Sequence, residues 1–182
     1  MIKFEKVSYE EYRKSLARLD YDDTDDEFLR KEYKKIKLPK RATKGSAGYD
    51  FYAPFDIDIP NNFQFRTSTC NCNDKYASPD YVTFPTGIRF ITNEPDVVLL
   101  LIPRSGLGFK NGTQLANTVG VIDSDYSLSD NEGHIMVKMR ANESVRVSKG
   151  SAFMQGIFVR YLTVDGDKSK SVRNGGFGST DK

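Results

Sequence analysis

YVTFPTGIRFITNEPDVVLLLIPRSGLGFK, residues 81–110, decides the fold class. The run YVTFPTGIRFI is dense in β-branched and aromatic residues, NEPD supplies a turn, and VVLLLIP is a second β-rich run. Pro103-Arg-Ser-Gly-Leu-Gly-Phe-Lys110 then opens a short helix. Working outward, the same pattern of short β runs repeats as GYDFYAPFDIDI, QFRTST, GVIDSDY, HIMVKMR, VRVS and SAFMQGIFVRYL, separated by turn residues. Many short strands without an alternating helix point to an all-β sandwich, barrel or jelly roll and exclude a doubly wound sheet.

The composition changes near residue 40. Residues 1–40 hold 11 Lys/Arg and 10 Asp/Glu, and all 14 glycines fall later. Ser8 and Glu11 fit a capping box, and Tyr9, Tyr12, Leu16 and Leu19 recur at helical spacing. A second helix is expected from Thr24 through DDEFLRKEYKKI, acids first and lysines last, ending before Pro39. The expected organisation is a charged helical appendage over 1–37, a β domain over 38–165 and a flexible C-terminal arm over 166–182.

The net charge of +2 argues against a nucleic-acid partner. No apolar run of about 18 residues exists, so no membrane partner is expected, and MIKFEKVSYEEYRK lacks the apolar core of a secretory signal, which suggests a cytoplasmic protein. Cys70-Asn-Cys72 is a poor zinc half-site. His134, the sole histidine, lies in an alternating strand pattern and is expected at the surface; no Ser-His-Asp or Cys-His pairing is expected with one histidine.

Five segments interrupt apolar strands with polar and glycine residues. They are Ala42-Thr-Lys-Gly-Ser-Ala-Gly-Tyr-Asp50, Pro103–Lys110, Asn117-Thr-Val-Gly-Val-Ile-Asp-Ser-Asp-Tyr126, Lys149-Gly-Ser-Ala-Phe-Met-Gln155 and Arg173-Asn-Gly-Gly-Phe-Gly-Ser-Thr180. An acid after a glycine turn can hold a metal's water shell, a helix start with Arg and Ser can cradle phosphate, and an aspartate, ionised at neutral pH, can take a proton from water. Each alone is equally at home as a hairpin turn, a strand-to-helix turn, a strand-to-strand hydrogen bond or a polar tail.

Together, in this order and spacing, the five segments resemble the five motifs of the trimeric dUTPase (dUTP pyrophosphatase) family over roughly residues 38–180. GSAGYD, PRSGLG, GVIDSDY and GGFGST match almost letter for letter. The resemblance implies a jelly-roll-like β fold, a homotrimer with shared active sites, and Mg²⁺-assisted hydrolysis of dUTP to dUMP and pyrophosphate. That reaction keeps uracil out of DNA and supplies dUMP for dTMP synthesis.

It further implies that Asp123 activates the attacking water and that Tyr126 packs on the deoxyribose and excludes a 2′-hydroxyl. Asn117 reads the uracil edge, with hairpin backbone near Val121, Ile122 and Met136. Arg104, Ser105 and Gly106 bind phosphate, as does Gln155. From the arm, Arg173 clamps the γ-phosphate, Phe177 stacks on the base, and Gly178, Ser179 and Thr180 contact phosphate. Asp50 acts on Mg²⁺ through water. Lys138 stands where the similar dCTP deaminases need a glutamate, so deamination is disfavoured; a nucleotide-sensing regulator on the same scaffold is the other alternative. Ser127-Leu-Ser-Asp-Asn-Glu before Gly133 makes the hairpin longer than is usual in the family. That hairpin and the front helices leave room for an unidentified protein partner.

Overall fold

A computed structural model describes residues 1–19, 25–61, 81–169 and 171. The Cys70–Cys72 loop, the QFRTST run and the arm residues Arg173, Phe177, Gly178, Ser179 and Thr180 lie outside the described residues.

The fold is all-β and jelly-roll-like, with three short α-helices among the described residues. Its largest sheet has the order β2-β3-β12-β7-β9, built from β2 (Lys40–Arg41), β3 (Tyr49–Tyr52), β12 (Ala152–Arg160), β7 (Val97–Pro103) and β9 (Gly120–Ile122), all antiparallel. The spine is β12. It pairs with β7 from Met154↔Pro103 to Arg160↔Val97, and on its other edge sets Gln155 opposite Asp50. Gly156 sits where this spine is most crowded: a Cβ there would lie 2.8 Å from Leu99 Cδ1 and 2.9 Å from Phe51 Cε2.

A second sheet runs β5 (Val82–Pro85), β10 (Met136–Arg140) and β8 (Gln114–Leu115). β4 (Ile57–Ile59) pairs with β11 (Val145–Val147). Between these layers lies a core of Phe51, Phe84, Phe90, Phe153, Ile57, Ile59, Leu99, Ile135, Met139 and Met154, all fully buried. The Phe84 and Phe153 rings meet edge to face at 5.3 Å and join the β5 and β12 sheets.

The front of the chain is knitted into this domain. Before any helix it forms β1 (Ile2–Lys6), antiparallel to β6 (Ile88–Thr92), a strand that the dense charge of the segment conceals in the sequence. Phe4 packs against Tyr49, Phe51 and Phe158 at 5.4–5.5 Å. α1 (Tyr9–Ala17) buries Tyr9, Tyr12 and Leu16, and α2 (Asp26–Lys34) buries Leu29. Lys6 Nζ donates to the Tyr33 and Lys34 carbonyls at 3.1 and 2.8 Å, placing a cation at the C-terminal end of α2.

Ser8 caps α1, accepting from Glu11 N at 3.1 Å. The return half of the expected capping box does not come from Glu11. Glu132, at the end of the long hairpin, accepts from Ser8 N at 2.8 Å and from Ser8 Oγ at 2.5 Å. The front of the chain and the long hairpin therefore bind each other.

Candidate active site

Two clusters emerge from the strand order. The first forms where β3, β12 and the end of β7 meet. Gln155 Nε2 donates to Asp50 Oδ1 at 2.9 Å, and Arg104 Nε lies 3.5 Å from the same oxygen. Asp50 is buried, so its charge is held by these partners, whereas the Arg104 side chain is 42% exposed and its head can reach outward. Arg104 has extended backbone angles and precedes α3 (Ser105–Asn111), the short helix expected after Pro103. Its own N donates to the Phe153 carbonyl at 3.1 Å. Ser105 and Gly106 occupy the exposed first turn, where helix amides have no intrahelical acceptor. The guanidinium, the amide and the helix-start amides suit a phosphate chain, while the Asp50 carboxylate, an anion, can meet phosphate only across a cation.

The second cluster is a cavity of about 650 Å³, within the range of small-ligand sites. Asn117, Val121, Ile122, Tyr126 and Met136 all line it. β9 is the outer strand of its sheet, with β7 (Leu100↔Val121) as its only strand partner among the described residues, and Gly120, Val121 and Ile122 of β9 all line the cavity. Thr118, in the left-handed region at φ 67°, turns the chain so that Asn117 is exposed beside it. Asp123 follows β9 directly; its carbonyl accepts from Tyr126 N at 3.1 Å, which begins a single 3₁₀ turn over Tyr126–Leu128. The Lys138 ammonium, also on the lining, sits 5.1 Å from the centre of the Tyr81 ring.

Arg104, Ser105, Gly106, Gln155 and Asp50 do not line this cavity. One chain thus carries a base-sized cavity and a phosphate-type cluster as separate places.

Several lining residues escaped the sequence reading. Glu11, Ser15 and Arg18 of the α1 segment form one wall. Glu11 reads as a cap in the sequence, yet its side chain turns inward and is buried. Burial pushes its carboxyl above the usual range, opposed by Arg18 and Lys14.

His134 is not at the surface. It is fully buried, because the strand β10 starts only at Met136 and His134 belongs to the hairpin turn that folds inward. Its Nε2 accepts from Gly87 N at 2.9 Å, and its Nδ1, 3.6 Å from Glu11 Oε1, finds no hydrogen-bond partner among the described residues. Burial pushes the imidazole down to about 4. Gly87, at φ 73°, is the one place where His134, Val7 and Ile36 converge; a Cβ would lie 2.6 Å from Ile36 Cδ1.

Residues 70–181 match the family model described as dUTPase. The chain is 37% identical over 150 residues to the deoxyuridine 5′-triphosphate nucleotidohydrolase of Lactococcus lactis, covering 80% of this chain and 88% of that protein. It is 35% identical over 159 residues to the enzyme of the same name from Psychromonas ingrahamii, covering 82% and 90%. The crystal structure of the Streptococcus mutans dUTPase superposes with a TM-score of 0.58 at 30% identity, covering 90% of this chain and 98% of that one. A Staphylococcus bacteriophage 80alpha dUTPase bound to dUpNHpp shares the fold at 17% identity, with a TM-score of 0.55 and 99% and 98% coverage. Motif order, strand order and these likenesses converge: the chain belongs to the dUTPase family.

Proposed function

We propose that the protein hydrolyses dUTP to dUMP and pyrophosphate. The observation that carries this is the cavity that gathers Asn117, Val121, Ile122, Tyr126 and Met136, the residues that the family resemblance assigns to one nucleoside. Asn117 and the open edge of β9 meet the uracil edge with fixed donors and acceptors. A fixed set of this kind rejects cytosine, whose donor and acceptor are reversed, by roughly 10⁴-fold or more. The 5-methyl of thymine is refused by bulk, and the Tyr126 ring leaves no room for a 2′-hydroxyl.

Asp123 takes the proton of the water that attacks the α-phosphate. Arg104, Gln155 and the first-turn amides of α3 hold the phosphates, and charge neutralisation supplies most of what phosphoryl chemistry needs. Arg173, Phe177, Gly178, Ser179 and Thr180 close over the nucleotide by the family pattern.

No group of three His, Cys, Asp or Glu able to chelate a bare metal occurs among the described residues, while Asp50 is a single buried carboxylate beside the phosphate cluster. That donor set fits Mg²⁺, which keeps several waters and takes one or two carboxylates together with substrate phosphates. Bound with the triphosphate, the ion would neutralise phosphate charge, with Asp50 holding it through water. Separation of the two clusters in one chain supports a homotrimer in which the cavity of one subunit meets the phosphate cluster of another. In the cell, the reaction would keep uracil out of DNA and provide dUMP for dTMP synthesis.

Pyrophosphate release from dUTP, dCTP, dTTP and UTP with Mg²⁺ tests this reading. Turnover of dUTP alone is expected. Asp123→Asn should retain dUTP binding and lose about 10²- to 10⁴-fold in kcat; wild-type turnover by that variant would refute the role of Asp123.

A further inference from the structure

The long hairpin is organised around one amide. Asn131 Nδ2 donates to the Tyr126 hydroxyl at 2.9 Å and lies 3.5 Å from the His134 carbonyl. Its Oδ1 accepts from Gly133 N at 3.1 Å. The Tyr126 hydroxyl donates to the His134 carbonyl at 3.2 Å. Directions are fixed by chemistry: a backbone N–H only donates, so the amide oxygen faces Gly133 and the NH₂ faces Tyr126. A carbonyl only accepts, so the tyrosine hydrogen points to His134 and its lone pair receives the amide.

The backbone is shaped to deliver this amide. Glu132 and Gly133 are both left-handed, at φ 58° and 73°. A Cβ on Gly133 would come within 2.6 Å of Ser127 Cα, so the turn closes directly onto the residue after Tyr126. A non-glycine residue in the left-handed region is strained, and Glu132 is held there by its bonds to Ser8. Asn131 and Tyr126 both line the cavity.

We infer that Asn131 is a positioning residue: by holding the Tyr126 hydroxyl, it fixes the ring against which the deoxyribose is discriminated. The inference rests on the proposed reading of Tyr126 as the sugar gate. Steric rejection of a 2′-hydroxyl requires a wall that does not yield. A ring fixed only by packing can tilt, whereas one whose hydroxyl is bound on two sides cannot do so without breaking a hydrogen bond. The long hairpin thereby acquires a purpose in substrate choice, since Asn131 lies within the residues that lengthen it.

The test compares kcat/KM for dUTP and for UTP in the wild type, Asn131→Ala, Tyr126→Phe and the double variant. Asn131→Ala removes the donor to Tyr126 without introducing a charge; it also removes the acceptor for Gly133 N, a loss shared by the double variant, so the coupling with Tyr126→Phe isolates the hydroxyl contact. Each single variant should lower the dUTP-over-UTP preference about 3- to 10-fold, the worth of one neutral hydrogen bond. The change should fall on KM for dUTP and on the acceptance of UTP more than on kcat for dUTP. The double variant should show a preference no lower than Tyr126→Phe alone. An unchanged preference in Asn131→Ala, or full additivity in the double variant, overturns the inference. If Asn131→Ala does not fold, Asn131→Leu takes its place in the same cycle with the same outcomes. Tyr126→Ala separates the two levels. Full discrimination by that variant would defeat the sugar-gate reading itself, whereas lost discrimination beside an unchanged preference in Asn131→Ala defeats only the positioning role.

Discussion

Acid should loosen this fold through His134. Its imidazole is fully buried and its proton affinity is pushed down from an ordinary 6.5 to about 4. The unfolded chain therefore binds a proton that the folded chain refuses between those limits. Stability is undisturbed above about pH 6.5 and falls as pH drops toward 4. Between pH 7 and pH 5 the linkage amounts to about 2 kcal/mol. Burial is the main cause; Glu132 opposes it and Arg18 adds to it. Glu11, 3.6 Å away, has a raised carboxyl and acts with the opposite sign, since protonation relieves its burial. His134→Gln isolates the effect, because its Oε1 can accept from Gly87 N while it takes up no proton. Urea unfolding at pH 7 and pH 5, at one protein concentration, should show the wild type losing about 2 kcal/mol more than the variant. Parallel losses, agreeing within about 0.5 kcal/mol, would refute the assignment.

Three further outcomes follow from the packing and the polar contacts. Ser8→Ala removes both the cap of α1 and the donor to Glu132 and should cost about 1–2 kcal/mol in urea unfolding at pH 7. Burial of the Glu132 carboxyl is outweighed by its Ser8 hydrogen bonds, which hold it below the usual range, so that cost should shrink as pH falls below about 4.5. Gly156→Ala should destabilise by about 1–3 kcal/mol, visible as a lower urea midpoint, because neither Leu99 nor Phe51 has room to retreat. Arg104→Lys, which cannot offer a planar fork to phosphate, should lower kcat/KM for dUTP roughly 10- to 100-fold while leaving the urea midpoint within about 0.5 kcal/mol.

Strand runs such as VVLLLIP and SAFMQGIFVRYL are legible because β7 is buried over most of its length and β12 over its first half, each leaving a nearly continuous apolar signature. The α3 start at Ser105 and the cap at Ser8 are legible because their determinants are local. β1 is not, because its residues alternate as IKFEK inside a segment where charge dominates, and its partner β6 lies about 85 residues on. His134 and Glu11 meet at 3.6 Å across an even longer gap in the chain, and nothing in either neighbourhood announces their burial. Among the site residues, Asn117, Val121, Ile122, Tyr126 and Met136 share the cavity because one hairpin carries them all, whereas other elements supply the rest of its wall. The α1 wall could be seen only once the helix was docked.

The placement of β12 sets a constraint on how the protein is made. Among the described residues it is the last strand, yet it occupies the middle of the five-stranded sheet. A ribosome releases β2, β3, β7 and β9 first, and none of β3 or β7 can find its central neighbour until residues 152–160 emerge. Until then two strand edges stand open, the condition under which nascent β proteins associate wrongly. Assembly of the sheet is therefore a late event, dominated by distant pairings and correspondingly slow. Any chain stopped short of residue 152 would be a message without its keystone, fit for disposal rather than repair.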